Sequence, residues 1–202
     1  MTWITGVPDS VDALVSAIRD GARPRFLPFW KHHPPPDGRL DAACLSQWRP
    51  SPFVVDGVRY ATAEHWMMAG KDRLFEDPEA ERQALTARHP AEAKKAGALV
   101  RGFDEAVWRR ERLRIVTEGN VHKFASDPAL RAFLVGTGSR VLVEASPMDR
   151  IWGIGLPAGD PAVQEPEHWR GLNLLGFALM AARERLRAET AGSGGSAPGA
   201  VG

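Results

Sequence analysis

The sequence predicts a mainly α domain of the α+β class: one compact helical unit with a small β-hairpin or sheet element. Three observations carry that prediction. Helix-starting residues recur along the chain, at Thr62, Asp77-Pro78, Pro90, Asp104 and Asp127-Pro128. A single stretch, Phe53 to Tyr60, has the signature of a hairpin, and a single run, Arg140 to Ser146, has a β-branched, apolar centre. With 202 residues, and about 150 usual per domain, one core is expected. Residues 1–25 read as a lead-in with one helix, 26–190 as the main domain, and 191–202 as a flexible tail.

Taken in order, the first helix covers residues 10–20. Val11, Leu14, Val15 and Ile18 share one face, and Asp9 or Ser10 can cap it. His32 to Ala42 (HHPPPDGRLDA) reads as an extended loop because of its three prolines. In FVVDGVRY, Asp56-Gly57 suits a type I′ turn between two short strands. Thr62 then caps a helix through AEHWMMAGKDRLF. Asp77-Pro78 opens the next helix, and Pro90 opens one that stops near Gly102. Asp104 caps a long helix to about Phe124, with Trp108, Ile115 and Val116 inward. Asp127-Pro128 opens a helix stopped by Gly136, RVLVEAS reads as a buried strand, and DRIWGIGL as a loop or short strand. The last helix is expected from about Leu172 to Ala188. Leu172, Leu175, Leu179 and Ala182 form its stripe, and Arg183, Arg185 and Arg187 stand at its C-terminal end, where cations suit the dipole. AGSGGSAPGAVG, from Ala191, is too poor in apolar bulk to offset the entropy of ordering.

Composition excludes several classes of function. Apolar residues make up 44% and charged residues 25%, which rules out wholesale disorder. A formal net charge of +1 supplies no broad field for nucleic acid or membrane. The lone Cys44 rules out an internal disulfide framework and a Cys-based zinc finger, and is expected as a small buried residue. The start MTWITGVPDS lacks a basic flank and apolar run, so no leader is expected; a cytoplasmic location is. No apolar stretch reaches the ~18 residues of a membrane helix. H-E-x-x-H, G-x-S-x-G, Walker A and G-x-G-x-x-G patterns are absent. The run Arg109 to Arg114 reads as a solvated helix face. Seven Trp against one Tyr is unusual, and some of these rings are candidates for binding.

Four segments hold polar groups that an apolar core does not require. In YATAEHWMMAGK, Glu64 and Lys71 share a helix face beside Trp66, Met67 and Met68. A carboxylate desolvated by such neighbours has a raised pKa, suited to proton transfer; the blander alternative is a solvated Glu in a helix first turn. In VEASPMDRIWGIG, Glu144 ends a strand, with Asp149 and Trp152 in the loop after it. Two carboxylates beside an indole can flank a sugar, or Asp149 can simply bond backbone amides in a turn. Trp108 can stack on a base or pack in the core. Asn173, in GLNLLG, can serve a site or cap a helix.

Taken together, SQWRPSPFVVDGVRYATAEHWMMAGK, WRRERLRIVTEGNVHKF, LVEASPMDRIWGIGL and WRGLNLLGFALMAARERL resemble the NADAR family, which includes YbiA-like N-glycosidases. The likeness runs from about Phe26 to Leu186. It implies a mainly helical fold and hydrolysis of an N-glycosidic bond to ribose. The substrate is then a phosphoribosylamino-pyrimidine intermediate of riboflavin biosynthesis, or ADP-ribose on a guanine of nucleic acid. Carried over by position, the resemblance implies Glu64, Glu144 and Asp149 as catalytic carboxylates. It implies Lys71, Trp108, Trp152, Gly153, Asn173 and Trp30 as substrate-binding residues, with Lys71 and Asn173 holding Glu64 or a phosphate oxygen. No metal, cofactor or membrane is expected, and partners reduce to a ribosyl or ADP-ribosyl substrate, small or carried by nucleic acid. Three departures affect phosphate contacts: Ala98 follows Gly97 where the family often has Arg, Asp72 follows Lys71, and Lys31-His32 stands near Trp30 in place of Gly-His. Arg101 is the candidate replacement for the missing Arg. The rival reading is a non-catalytic ADP-ribose or nucleotide sensor with the same pocket.

Overall fold

The computed structural model describes residues 6–193. Among these the chain runs α1 (Val11–Arg19), β1 (Phe26–Phe29), a 3₁₀ turn (Ala42–Leu45), β2 (Phe53–Val55), β3 (Val58–Tyr60), α2 (Ala63–Leu74), α3 (Pro78–Thr86), α4 (Pro90–Ala98), α5 (Glu105–Ala125), α6 (Pro128–Gly136), β4 (Val141–Glu144), two further 3₁₀ turns (Pro161–Gln164, Pro166–His168) and α7 (Leu174–Ser193). The fold is mainly helical, as the start signals predict.

Local chemistry explains most of the boundaries. Ser10 accepts the Ala13 amide at 3.2 Å, Asp77 that of Ala80, and Asp104 and Asp127 each accept two amides of the helix they open. Thr62 differs from its expected role. It occupies the cap position of α2, but its hydroxyl lies 2.8 Å from His65 Nδ1 and makes no capping bond. Asp56 (φ 50°) and Gly57 (φ 78°) are both left-handed, as a type I′ turn between β2 and β3 requires.

The second sheet is a finding that the sequence did not suggest. β1 pairs in parallel with β4, Phe26 opposite Val141 through Phe29 opposite Glu144. Pro28 argues against a strand, yet among the described residues β1 has a neighbour on one side alone, so the missing N–H breaks no ladder. This pairing fixes the end of β4 and therefore Glu144.

α5 packs against α2, α6 and α7, with Trp66, Ile115, Phe124, Leu134 and Leu179 in the core between them. α7 starts two residues later than expected. Asn173 is left-handed (φ 51°), Leu172 is exposed, and the buried stripe is Leu175, Leu179, Ala182 and Leu186. Gly176 lets the first turn of α7 lie against β4, where a Cβ would run into the Leu142 carbonyl. α7 also outlasts its expected end at Ala188; the proposed tail beyond Ser193 lies outside the described residues. Arg183 does not sit in solvent beside the helix end. It is fully buried, and its guanidinium donates to Thr137 Oγ1 and the Arg140 carbonyl, each at 2.9 Å. No helix among the described residues is long and apolar enough to cross a membrane.

Candidate active site

One cavity, of about 200 Å³, gathers residues from distant parts of the chain. Ser46, Gln47 and Trp48 come from the segment after the first 3₁₀ turn. α2 supplies Glu64, Met67, Met68 and Lys71, α4 supplies Lys94, Gly97 and Ala98, and α5 supplies Trp108. Glu144 ends β4, and Asp149 and Trp152 come from the loop that follows.

Glu64 is not a solvated first-turn residue. It is 3% exposed, its Oε1 is sealed from solvent without a hydrogen-bond partner, and Met67 and Met68 follow it one turn on. Its backbone N–H donates to the Gln47 carbonyl at 3.1 Å, and the Trp48 indole interacts favourably with its carboxylate. Burial pushes the carboxyl up to about 7; Lys94 and the Trp48 indole pull the other way, and Asp149 adds to the rise.

Glu144 is held by backbone and by Asn173. Its N–H donates to Asn173 Oδ1 at 3.0 Å, and its carbonyl accepts from Ile154 at 2.9 Å. Its Oε2 is sealed without a partner. Burial raises the carboxyl to about 8, helped by repulsion from Asp149 and Glu64 and opposed by Lys94. Asp149 does both things considered for it. Its Oδ1 accepts the Ile151 and Trp152 amides, each at 2.8 Å, while the side chain still lines the cavity. Three carboxylates thus share one space, with a lysine ammonium close enough to act on two of them.

The other expected site residues divide into two groups. Lys71, Trp108 and Trp152 line the cavity. Lys71 donates to the Gly97 carbonyl at 2.7 Å and lies 5.7 Å from the Trp108 ring centroid, so it ties α2 to α4 and is not bonded to Glu64. Gly153, Asn173 and Trp30 lie outside the lining. Asn173 is fully buried. Its Nδ2 donates to the Leu142 carbonyl at 2.9 Å while its Oδ1 receives Glu144, so it positions β4 and does not hold Glu64. Gly153 lets the loop fold back on the strand end, since a Cβ would press on the Glu144 and Asp149 carbonyls. Trp30 is 47% exposed. Arg101 also takes another role, donating to both oxygens of Asp77.

Trp48, Gln47 and Lys94 were not anticipated. Lys94 sits in AEAKKAG, which reads as a solvated face; it reaches the cavity because Gly97 lets α4 press against Met68 of α2. Trp48 carried one usable signal, the surplus of indoles.

Comparisons with known proteins identify the family. The family model described as the NADAR domain matches residues 28–187. The chain is 43% identical over 146 residues to N-glycosidase R617 of Acanthamoeba polyphaga mimivirus, covering 69% of this chain and 85% of that protein. It is 33% identical over 138 residues to the maize chloroplastic riboflavin biosynthesis protein PYRR, covering 65% of this chain and 20% of that protein. The NMR structure of Escherichia coli YbiA, a protein named as an N-glycosidase, superposes with a TM-score of 0.66 at 26% identity, covering 84% of this chain and 89% of that one. The chain belongs to the NADAR family.

Proposed function

We propose that this NADAR-family chain hydrolyses the bond between C1′ of a ribose and the nitrogen of an amine or base. The observation that carries the reading is the convergence of Glu64, Glu144 and Asp149 in one cavity walled by Trp48, Trp108 and Trp152.

As the C1′–N bond breaks, positive charge develops on the ribose, and carboxylates fixed beside it stabilise that charge. Burial raises both carboxyls, Glu64 to about 7 and Glu144 to about 8, so the coupled pair can hold one ionised and one protonated member near neutral pH. The ionised member takes the proton of the attacking water, and the protonated member gives its proton to the departing nitrogen. Water oxygen bonds to C1′, and the products are a free ribosyl hemiacetal and the free amine or base. Asp149 presents its second oxygen to ribose hydroxyls. The indoles stack on the heterocycle, and Lys94 and Lys71 face its anionic part.

Phosphoribosylamino-pyrimidines are the favoured substrate. The likeness to a riboflavin biosynthesis protein supports this, as does the net charge of +1, which gives no broad surface for a nucleic-acid chain. ADP-ribosylated guanine is the second candidate. A protein that only binds an anionic nucleotide gains nothing from three acids in its pocket.

The test is incubation with a ribosylaminopyrimidine phosphate and, separately, with ADP-ribosylated guanosine, followed by chromatography of the released base. Release is expected to fall by about 10²–10⁴-fold in Glu64→Gln. Binding without release from either compound overturns the proposal.

A further inference from the structure

Two buried polar side chains of α5 take no part in the chemistry above. Lys123 is 0% exposed, and its Nζ donates to the carbonyls of Cys44 at 2.6 Å and Ser46 at 2.8 Å. Asn120, one turn earlier on the same face, donates to its own helix at Val116 and to Gln47 Oε1 at 3.2 Å. Both therefore grip the same short segment, 44–48. Core packing does not account for them. A buried ammonium is costly, and an apolar side chain of similar length fills the same space more cheaply.

What this segment delivers is the surroundings of Glu64. The Gln47 carbonyl accepts the Glu64 N–H, and the Trp48 indole interacts favourably with the Glu64 carboxylate. α5 is thus hydrogen-bonded to segment 44–48, and that segment to the Glu64 backbone, with the Trp48 indole acting on the carboxyl. We propose that Lys123 and Asn120 are positioning residues for Glu64, acting through Gln47 and Trp48 to fix its geometry and keep water from it. This rests on the reading of Glu64 as a catalytic group.

The strut works in either state of the lysine. Burial lowers the Lys123 ammonium to about 7, against a partial opposing pull from Cys44, and Arg49 adds to the lowering. A neutral amine still has an N–H for each of the two carbonyls. The groups that face Glu64 are Lys94, Trp48 and Asp149, with Glu144 coupled to it across the cavity.

The test compares Lys123→Met and Asn120→Ala with Leu134→Ala, a cavity-forming change in α6, which packs mainly on α5 and α7 and does not line the site. The first readout is the Glu64 carboxyl titration by carbon-13 NMR of the full chain, assigned by its loss in Glu64→Gln. The second is the pH profile of kcat/KM. Both strut variants are expected to lower the Glu64 pKa by about one unit as water enters. The acidic limb of the profile follows, and kcat falls about tenfold as the carboxylate loses its orientation. Leu134→Ala is expected to lower the melting temperature and leave the Glu64 titration in place. An unmoved Glu64 titration in folded Asn120→Ala overturns the proposal, as does an equal shift in Leu134→Ala. If Lys123→Met does not fold, Asn120→Ala decides alone. The NMR readout needs no turnover, so it stands or falls apart from the glycosidase reading.

Discussion

Replacing Glu64 by Gln separates what this carboxyl does for chemistry from what it costs the fold. Its pKa is about 7 in the folded protein and 4.5 in the unfolded chain. Between those values the folded state holds a proton that the unfolded state has released. The raised carboxyl therefore leaves stability untouched below the unfolded value, and stability is lost as pH rises through the folded one. The penalty is complete above the folded pKa and amounts to about 3 kcal/mol. Glu64 is almost fully buried, so solvent screening removes little of it. Gln keeps the shape and an acceptor for the Trp48 indole but cannot ionise. Glu64→Gln is thus expected to be about 1 kcal/mol more stable than the parent at pH 5 and about 3 kcal/mol more stable at pH 9. In a domain of this size that is roughly 6–12 °C in Tm. Thermal melts of both proteins at pH 5, 7 and 9, with activity measured alongside, give the answer. A variant no more stable than the parent at pH 9, or one with the same gain at pH 5, would mean that Glu64 carries no buried-charge penalty.

Lys94→Met removes the cation that opposes the upward shifts of Glu64 and Glu144, so both titrations move to higher pH. The pH profile of kcat/KM should move the same way, and an unchanged profile counts against the electrostatic role. Asn173→Ala strands the Leu142 carbonyl and the Glu144 N–H, two buried groups at about 1–3 kcal/mol each. Urea unfolding should show a loss of about 2–6 kcal/mol. Trp108→Ala removes a ring from the cavity wall, and stacking worth about 1–3 kcal/mol per base should appear mainly as a rise in KM. Steady-state kinetics with kcat reduced and KM unchanged would place Trp108 elsewhere in the reaction.

The features legible in the sequence are those that local chemistry decides. Asp77, Asp104 and Asp127 cap the helices they precede, Asp56-Gly57 makes the expected turn, and Val141–Glu144 is a buried strand. The features that escaped depend on contacts far along the chain. Phe26–Phe29 is a strand because β4 lies beside it, in spite of Pro28. Lys94 enters the cavity because α4 packs closely on α2, and Trp48 enters because α5 grips its segment. At Glu64 the local signal was ambiguous, since a first-turn carboxylate is favoured on any helix. Burial by Met67, Met68 and the 44–48 segment resolved it. Asn173 and Gly153 were expected at the substrate, yet they shape the backbone that carries Glu144 and Asp149.

The proposed chemistry requires the three carboxylates to surround a ribose carbon. A crystal structure of Glu64→Gln soaked with ADP-ribose tests it most directly. C1′ is expected within about 4 Å of the residue 64 side chain, directly or through one water, with Asp149 on the ribose hydroxyls and a ring against Trp108 or Trp152. A ribose bound outside the cavity, or inside it with C1′ turned away from Glu144 and residue 64, contradicts it.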